Sequence, residues 1–198
     1  MDELTAGRMR RVFRHVNRWM VVLWRLGLGR WVNAWPAGSG RIMVLTHVGR
    51  TSGRRFRTPL NYAEVDGEIY CTAGFGPGSD WYRNVTVTPE VEVWLPGRRW
   101  CGTVEDVSDG PDRARVLRAV LLASGFAAPA AGVPVRRLTD EQVAERTADY
   151  RLLRIRRTGV ATGDPRPGDL AWTWAVGGGC LALLALLAIR GRAARGGA

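Results

Sequence analysis

The chain predicts a mainly β fold with added helices: a small antiparallel barrel of about six strands against which helices pack. Three observations predict it. Between residues 41 and 108, short runs of alternating apolar and polar residues recur, and turn dipeptides separate them. After 108 the spacing becomes helical, and a last alternating run, YRLLRIRR, is placed to close the barrel. A length of 198 residues and a hydrophobic content of 46% suit one folded domain with appendages.

The first element covers residues 8–28. Met9, Val12, Phe13, Val16, Trp19, Met20 and Leu23 recur at three- and four-residue spacing, and Arg8, Arg11, Arg14, Arg18 and Arg25 largely fill the other positions. Such an amphipathic helix can pack onto its own domain or lie on an anionic membrane. Arginine interrupts the apolar residues there and no cleavable small-residue site follows, so no secretory signal is expected. WPAGSGR (35–41) ends the helical region.

IMVLTHV is the first strand, and THVGRTSGRRFRTPL (46–60) carries the chain into the next. TPLNYAEV and EIYCTAG flank Asp66-Gly67, which suits a type I′ turn; VEVWL and RWCGTVEDV flank Pro96-Gly97, the order of a type II turn. Between the hairpins, Ser79 or Asp80 can cap a short helix carrying Trp81, Tyr82 and Asn84. Asp109 to Pro111 open a helix that stops at Gly125, and Thr139 with Gln142 forms a capping box for another reaching about Ala148.

TGVATGDPRPGD (158–169) has the composition of a linker. Residues 170–189, LAWTWAVGGGCLALLALLAI, hold no charge and match a hydrocarbon layer of roughly 30 Å, which predicts a transmembrane helix. Arginines 151, 154, 156, 157 and 166 precede it, against 190, 192 and 195 beyond, a bias that turns the barrel towards the cytoplasm. The expected organisation is an amphipathic helix (1–34), barrel (35–157), linker (158–169), span (170–189) and basic tail (190–198), located at the cell membrane as a single-pass protein.

The formal charge of +11 is carried by arginine alone, since no lysine occurs. That excludes a Walker A loop, a Schiff-base lysine and a lysine base. Codon usage in a GC-rich genome gives the same bias. A basic surface draws nucleic acid, anionic lipid or phosphorylated ligands, and without a recognised nucleic-acid motif the first is set aside. Cys71, Cys101 and Cys180 show no metal-ligand spacing, so no metal site is expected; Cys71 and Cys101 read as free thiols of a reducing compartment. Asp80, Glu90, Glu92, Glu105 and Asp106 form no defensible acid–base pair, and no catalytic residue is assigned. His47 stands alone beside the loop, as a structural imidazole or a proton donor. Such a chain suits chemistry carried by a cofactor.

Arg50, Thr51, Ser52, Gly53, Arg54, Arg55 and Arg57 concentrate anion donors: glycine admits backbone N–H groups, hydroxyls donate, and guanidinium forks grip phosphate. A solvated charged turn is the alternative. GFGPGS (74–79) can let a flat ring lie against backbone or serve as a plain loop; Pro77 argues against a dinucleotide fingerprint.

VLTHVGRTSGRRFRTPLNY, then GFGPGSDWYRNV, then TPEVEVWLPGRRWCGTVEDV resembles the deazaflavin-dependent nitroreductase family, over about residues 41–108 and the closing strand. The resemblance implies a split β-barrel of the FMN-binding type, using coenzyme F420. It implies transfer of hydride from F420H2 to a quinone-like or other lipophilic acceptor at the membrane. A non-catalytic cofactor- or lipid-binding role and FMN-dependent oxidoreduction stay open, as does a homodimer. It further implies that Arg50, Ser52, Arg54, Arg55 and Arg57, with Thr51 and Gly53, hold the phosphate and oligoglutamate tail. Thr58, Pro59, Leu60, Ala73 and Gly74 would line the ring, completed by Trp81 and Asn84. Thr51 stands where better-known members carry lysine, the Gly74-Phe75-Gly76 loop is shorter than theirs, and Tyr150 is alone where they have a tyrosine-bearing helix.

Overall fold

The computed structural model describes residues 16–163 and 165–181. Its centre is a closed six-stranded barrel. Strands β1 (Ile42–Val48), β2 (Arg55–Val65), β3 (Glu68–Ala73), β4 (Glu90–Leu95), β5 (Arg98–Asp106) and β6 (Arg151–Val160) run in the order β1-β2-β3-β6-β5-β4, and β4 pairs back onto β1. All pairings are antiparallel, and closure leaves no open sheet edge.

Alternation decides which side chains fill the barrel. Met43 and Leu45 of β1, Ile69, Cys71 and Ala73 of β3, Val93 and Leu95 of β4, and Leu153 and Ile155 of β6 belong to one interior cluster. Successive residues point the other way and meet helices. Helix α1 (16–25) places Trp24 on Val44 and Trp94, which is why β1 is buried on both faces. Two one-turn helices follow, α2 (Gly29–Val32) and α3 (Pro36–Ser39). After α4 (Asp80–Val87), helix α5 (Arg113–Ala123) packs Val116, Leu117, Val120 and Leu121 against Ala63 and Leu152. The short α6 (Ala127–Ala130) and α7 (Asp140–Arg146) complete that layer through Ala128 and Val143.

The turn chemistry follows the sequence. Asp66 and Gly67 both adopt positive φ, 52° and 80°, as a type I′ turn requires. Thr139 caps α7, its side chain accepting from the Gln142 N–H while the Gln142 side chain accepts from the Thr139 N–H. Ser79 occupies the cap position of α4 but makes no side-chain cap bond. Of the expected helix over 8–28, residues 16–25 are helical and 8–15 lie outside the described residues.

Three boundaries move. β2 begins at Arg55, ahead of the expected Thr58, because Val48, His47 and Thr46 of β1 take Arg55, Phe56 and Arg57 as ladder partners. Arg55 and Arg57 are therefore strand residues. β6 continues through Val160, into the stretch read as linker, by pairing Val160 with Trp100 and Gly159 with Cys101. Helix α5 starts at Arg113, since a turn closes first from the Arg113 N–H to the Gly110 carbonyl.

The C-terminal segment returns to α1. Arg25 donates to both oxygens of Asp169, at 3.0 and 2.8 Å, the Gly168 N–H donates to the Trp24 carbonyl, and the Leu170 N–H to that of Arg25. Residues 172–181 form a last described helix, α8, and Trp174 Nε1 donates to the Leu26 carbonyl. The expected single-pass membrane location, with the barrel facing the cytoplasm, is corrected accordingly: no helix among the described residues is long and apolar enough to cross a membrane. The first turn of the apolar segment is hydrogen-bonded to the protein itself. Residues 182–189 of the expected span, and the tail 190–198, lie outside the described residues.

Candidate functional site

The anion-donor loop and the short helix carrying Trp81 and Asn84 meet at one mouth of the barrel. The loop 49–54 turns tightly, with the Gly49 N–H donating to the Arg54 carbonyl and the Gly53 N–H to that of Gly49. A Cβ on Gly49 would fall 2.6 Å from the Phe56 ring and 2.8 Å from Ser52 Oγ, so any larger residue would push these two exposed side chains aside. Arg50 to Arg55 are left exposed. Facing them is α4, docked by Val85 in the barrel interior and by the Tyr82 hydroxyl, which donates to Asp106 at 2.7 Å.

Asn84 joins the two. Its Oδ1 accepts from the Arg50 backbone N–H at 3.1 Å and from the Arg50 guanidinium at 3.0 Å; Asp80, one turn earlier on α4, stands 3.4 Å from the same guanidinium. Asn84 Nδ2 lies 3.2 Å from His47 Nδ1, and His47 Nε2 lies 3.0 Å from Thr58 Oγ1. His47 also stacks on Phe56, ring centres 6.0 Å apart. Burial pushes the His47 pKa down to about 4, so the ring is neutral near pH 7.

Alternation divides the remaining expected residues between two faces. Thr58 and Leu60 point inward, Leu60 packing on the interior cluster together with Trp81. Ala73 is buried within that cluster, and Gly74 lies against the Tyr150 phenol, where a Cβ on the glycine would fall 3.4 Å from the ring. Pro59 pairs with Val44 and shares the outer face with Arg57. There the Arg57 guanidinium lies 5.2 Å over the Trp94 ring, its pKa lowered by burial first and its Nε buried without an acceptor. Gly76, at φ 50°, admits the Asp149 carbonyl, so this loop hugs the chain itself.

Glu92, beside the strand-borne Arg55, has a buried position that its sequence context does not announce. It is buried on the outer face, accepts from Trp94 Nε1 at 2.6 Å and stands 3.0 Å from Arg99 and 3.7 Å from Arg55. The E-V-E-V-W alternation, which sets it on the same face as Trp94, is the one available signal. The network role of His47 has no sequence signal, since its partners are 11 and 37 residues away.

The donor set suits a polyanion. Thr51, Ser52, Arg54 and Arg55 are exposed along the loop beside the Arg50 guanidinium, whereas Arg57, on the outer face over Trp94, lies away from it. A cavity of about 530 Å³ opens instead at the opposite mouth, near Arg98, Arg156 and Arg157. Its Arg98 and Arg156 already face Glu64 and Glu105, at 3.6 and 3.0 Å, so it offers less free cationic chemistry than the loop.

Residues 16–136 match the family described as F420H(2)-dependent quinone reductase. Among solved structures, a conserved hypothetical protein of Mycobacterium tuberculosis is 20% identical, with 69% of this chain and 90% of that chain covered and a TM-score of 0.45. An F420-H2 dependent reductase, FDR-A, is also 20% identical, over 59% and 94% of the two chains, with a TM-score of 0.44. A haem storage protein of Vibrio cholerae is 14% identical, over 71% and 95%, with a TM-score of 0.43. No curated protein matches. Membership of a family rests on the first match alone.

Proposed function

The chain belongs to the family of F420H(2)-dependent quinone reductases, and on that premise we propose that it binds reduced coenzyme F420 at the loop–α4 mouth and reduces a quinone-class acceptor there. The observation that carries the reading is the contact of Arg50 with Asn84, which brings G-R-T-S-G and D-W-Y-R-N together across 34 positions of sequence. When bound, the reduced deazaflavin supplies the hydride. The protein's own residues bind and orient. Arg50, aimed by Asn84 and Asp80, offers a fixed guanidinium fork; Ser52, Arg54 and Arg55 add exposed donors for phosphate and carboxylate groups of the tail. Leu60 and Trp81 supply an apolar wall beside the Thr58 hydroxyl, which keeps water from a ring placed there.

The test is titration of the purified chain with oxidised F420, followed by fluorescence, and oxidation of F420H2 in the presence of menadione. Saturable binding and menadione-dependent turnover are expected. Binding of FMN without any binding of F420 would overturn the reading; binding of F420 without turnover would leave a carrier rather than a reductase.

A further inference from the structure

The buried chain of hydrogen bonds behind the site has one consistent assignment of protons. Asn84 and His47 are buried, so their polar atoms need partners. Arg50 presents only donors to Asn84, a backbone N–H and a guanidinium. The amide oxygen must therefore face Arg50, because the reversed amide would set N–H groups against N–H groups. Asn84 Nδ2 is then turned to His47 Nδ1, where it donates, and Nδ1 must hold a lone pair. The single proton of the neutral ring sits on Nε2, which donates to Thr58 Oγ1. The Thr58 hydroxyl is left with its own proton to give. Nothing among the described residues accepts it.

We propose that His47 is a positioning residue for cofactor recognition: locked as the Nε2–H tautomer by Arg50 and Asn84, it commits the half-buried Thr58 hydroxyl to act as a donor towards an acceptor atom of the bound ring. Arg50 thus has two tasks, an outward one on the anionic tail and an inward one that sets the polarity of Thr58. The Thr58 position discriminates by polarity: it favours a carbonyl oxygen or an unprotonated ring nitrogen and opposes an N–H. This rests on the F420 reading of the same site.

Two measurements test it. In the first, ¹⁵N NMR of the imidazole, in a chain whose other histidine carries His15→Gln, should show protonated Nε2 and unprotonated Nδ1 at pH 7 in the absence of any ligand. A protonated Nδ1, or a mixture of tautomers, overturns the proposal without any need for cofactor. The second is F420 affinity. Loss of one neutral hydrogen bond should weaken binding by about three- to tenfold in Thr58→Val and in His47→Leu. His47→Gln, whose amide can accept from Asn84 and donate to Thr58, should restore most of it. The double variant His47→Leu/Thr58→Val should be no weaker than Thr58→Val alone, because the histidine acts through the threonine. Additive losses, or a His47→Gln variant as weak as His47→Leu, overturn the proposal while wild type still binds. Failure of wild type itself to bind F420 removes the proposed function and this inference with it.

Discussion

Placing His47 among Asn84, Phe56 and Thr58 removes water from a ring that carries charge in the unfolded chain below pH 6.5, and its pKa falls to about 4. Between those values the unfolded chain takes up a proton that the folded chain refuses. Stability should therefore fall as pH drops through that window, by about 3 kcal/mol once both forms are protonated. Urea unfolding of wild type and His47→Gln at pH 7 and near pH 4 isolates the effect; equal losses in the two would show that another group causes it. Arg50 is expected to dominate binding in the loop, because its guanidinium is already held by Asn84. Arg50→Ala should cost F420 affinity about ten- to a hundredfold, the range of a charge-assisted hydrogen bond. Arg136→Ala, on an exposed turn beyond α6, should leave affinity unchanged. Isothermal titration of both variants compares them directly. Arg50 stands out in the sequence as a candidate anion donor, and Asn84 as a candidate through the family resemblance. That they touch is not legible there, because nothing in G-R-T-S-G specifies a partner 34 positions away.

Elements respond differently according to what holds their ends. The capping box of α7 satisfies two backbone donors, the N–H groups of Thr139 and Gln142, so Thr139→Ala should lower unfolding free energy by about 1 kcal/mol with the barrel intact. Gly76 is a harder constraint: its φ of 50° strains any other residue, and a Cβ would fall 2.5 Å from the Asp149 carbonyl. Gly76→Ala should lower the melting temperature more than Thr139→Ala, and a smaller shift would mean that the 149–150 segment yields without cost. The capping box was legible as T-x-x-Q, since both partners lie within one helical turn. The start of β2 was not. Arg55, Phe56 and Arg57 lack apolar alternation, and only the unpaired end of β1 draws them into the ladder.

For the whole molecule, 29 arginines against 18 carboxylates leave a formal charge of +11 and a long-range attraction for anions. Raising salt from about 0.05 to 0.5 M should weaken F420 binding, since the screening length shrinks to a few ångströms. The loss should be incomplete, because the Arg50 guanidinium is partly shielded and held by Asn84. Affinity that vanishes at high salt would point to a diffuse surface attraction instead of a built site. The C-terminal segment acts at the same scale. Asp169→Ala should loosen residues 165–174 from α1 and speed proteolytic cleavage there, leaving the barrel protected. Cleavage at the wild-type rate would mean that the backbone bonds to Trp24 and Arg25 hold the segment without the ion pair.

The sequence by itself determined what depends on near neighbours: six strands from their alternation, the type I′ turn from Asp66-Gly67, the α7 cap, and a loop rich in anion donors. It also carried the motif order by which the family is known. Tertiary structure alone decided that β4 closes onto β1, that Arg57 and Thr58 serve opposite faces of β2, and that Glu92 sits beneath arginines. It alone decided that α8 starts by bonding to the end of α1. Twenty uncharged residues read as a membrane span in isolation, because hydropathy records what a segment lacks and not what it touches. The same limit applies to His47. Its tautomer depends on an asparagine and a threonine that only barrel closure and the docking of α4 bring within 3.2 Å.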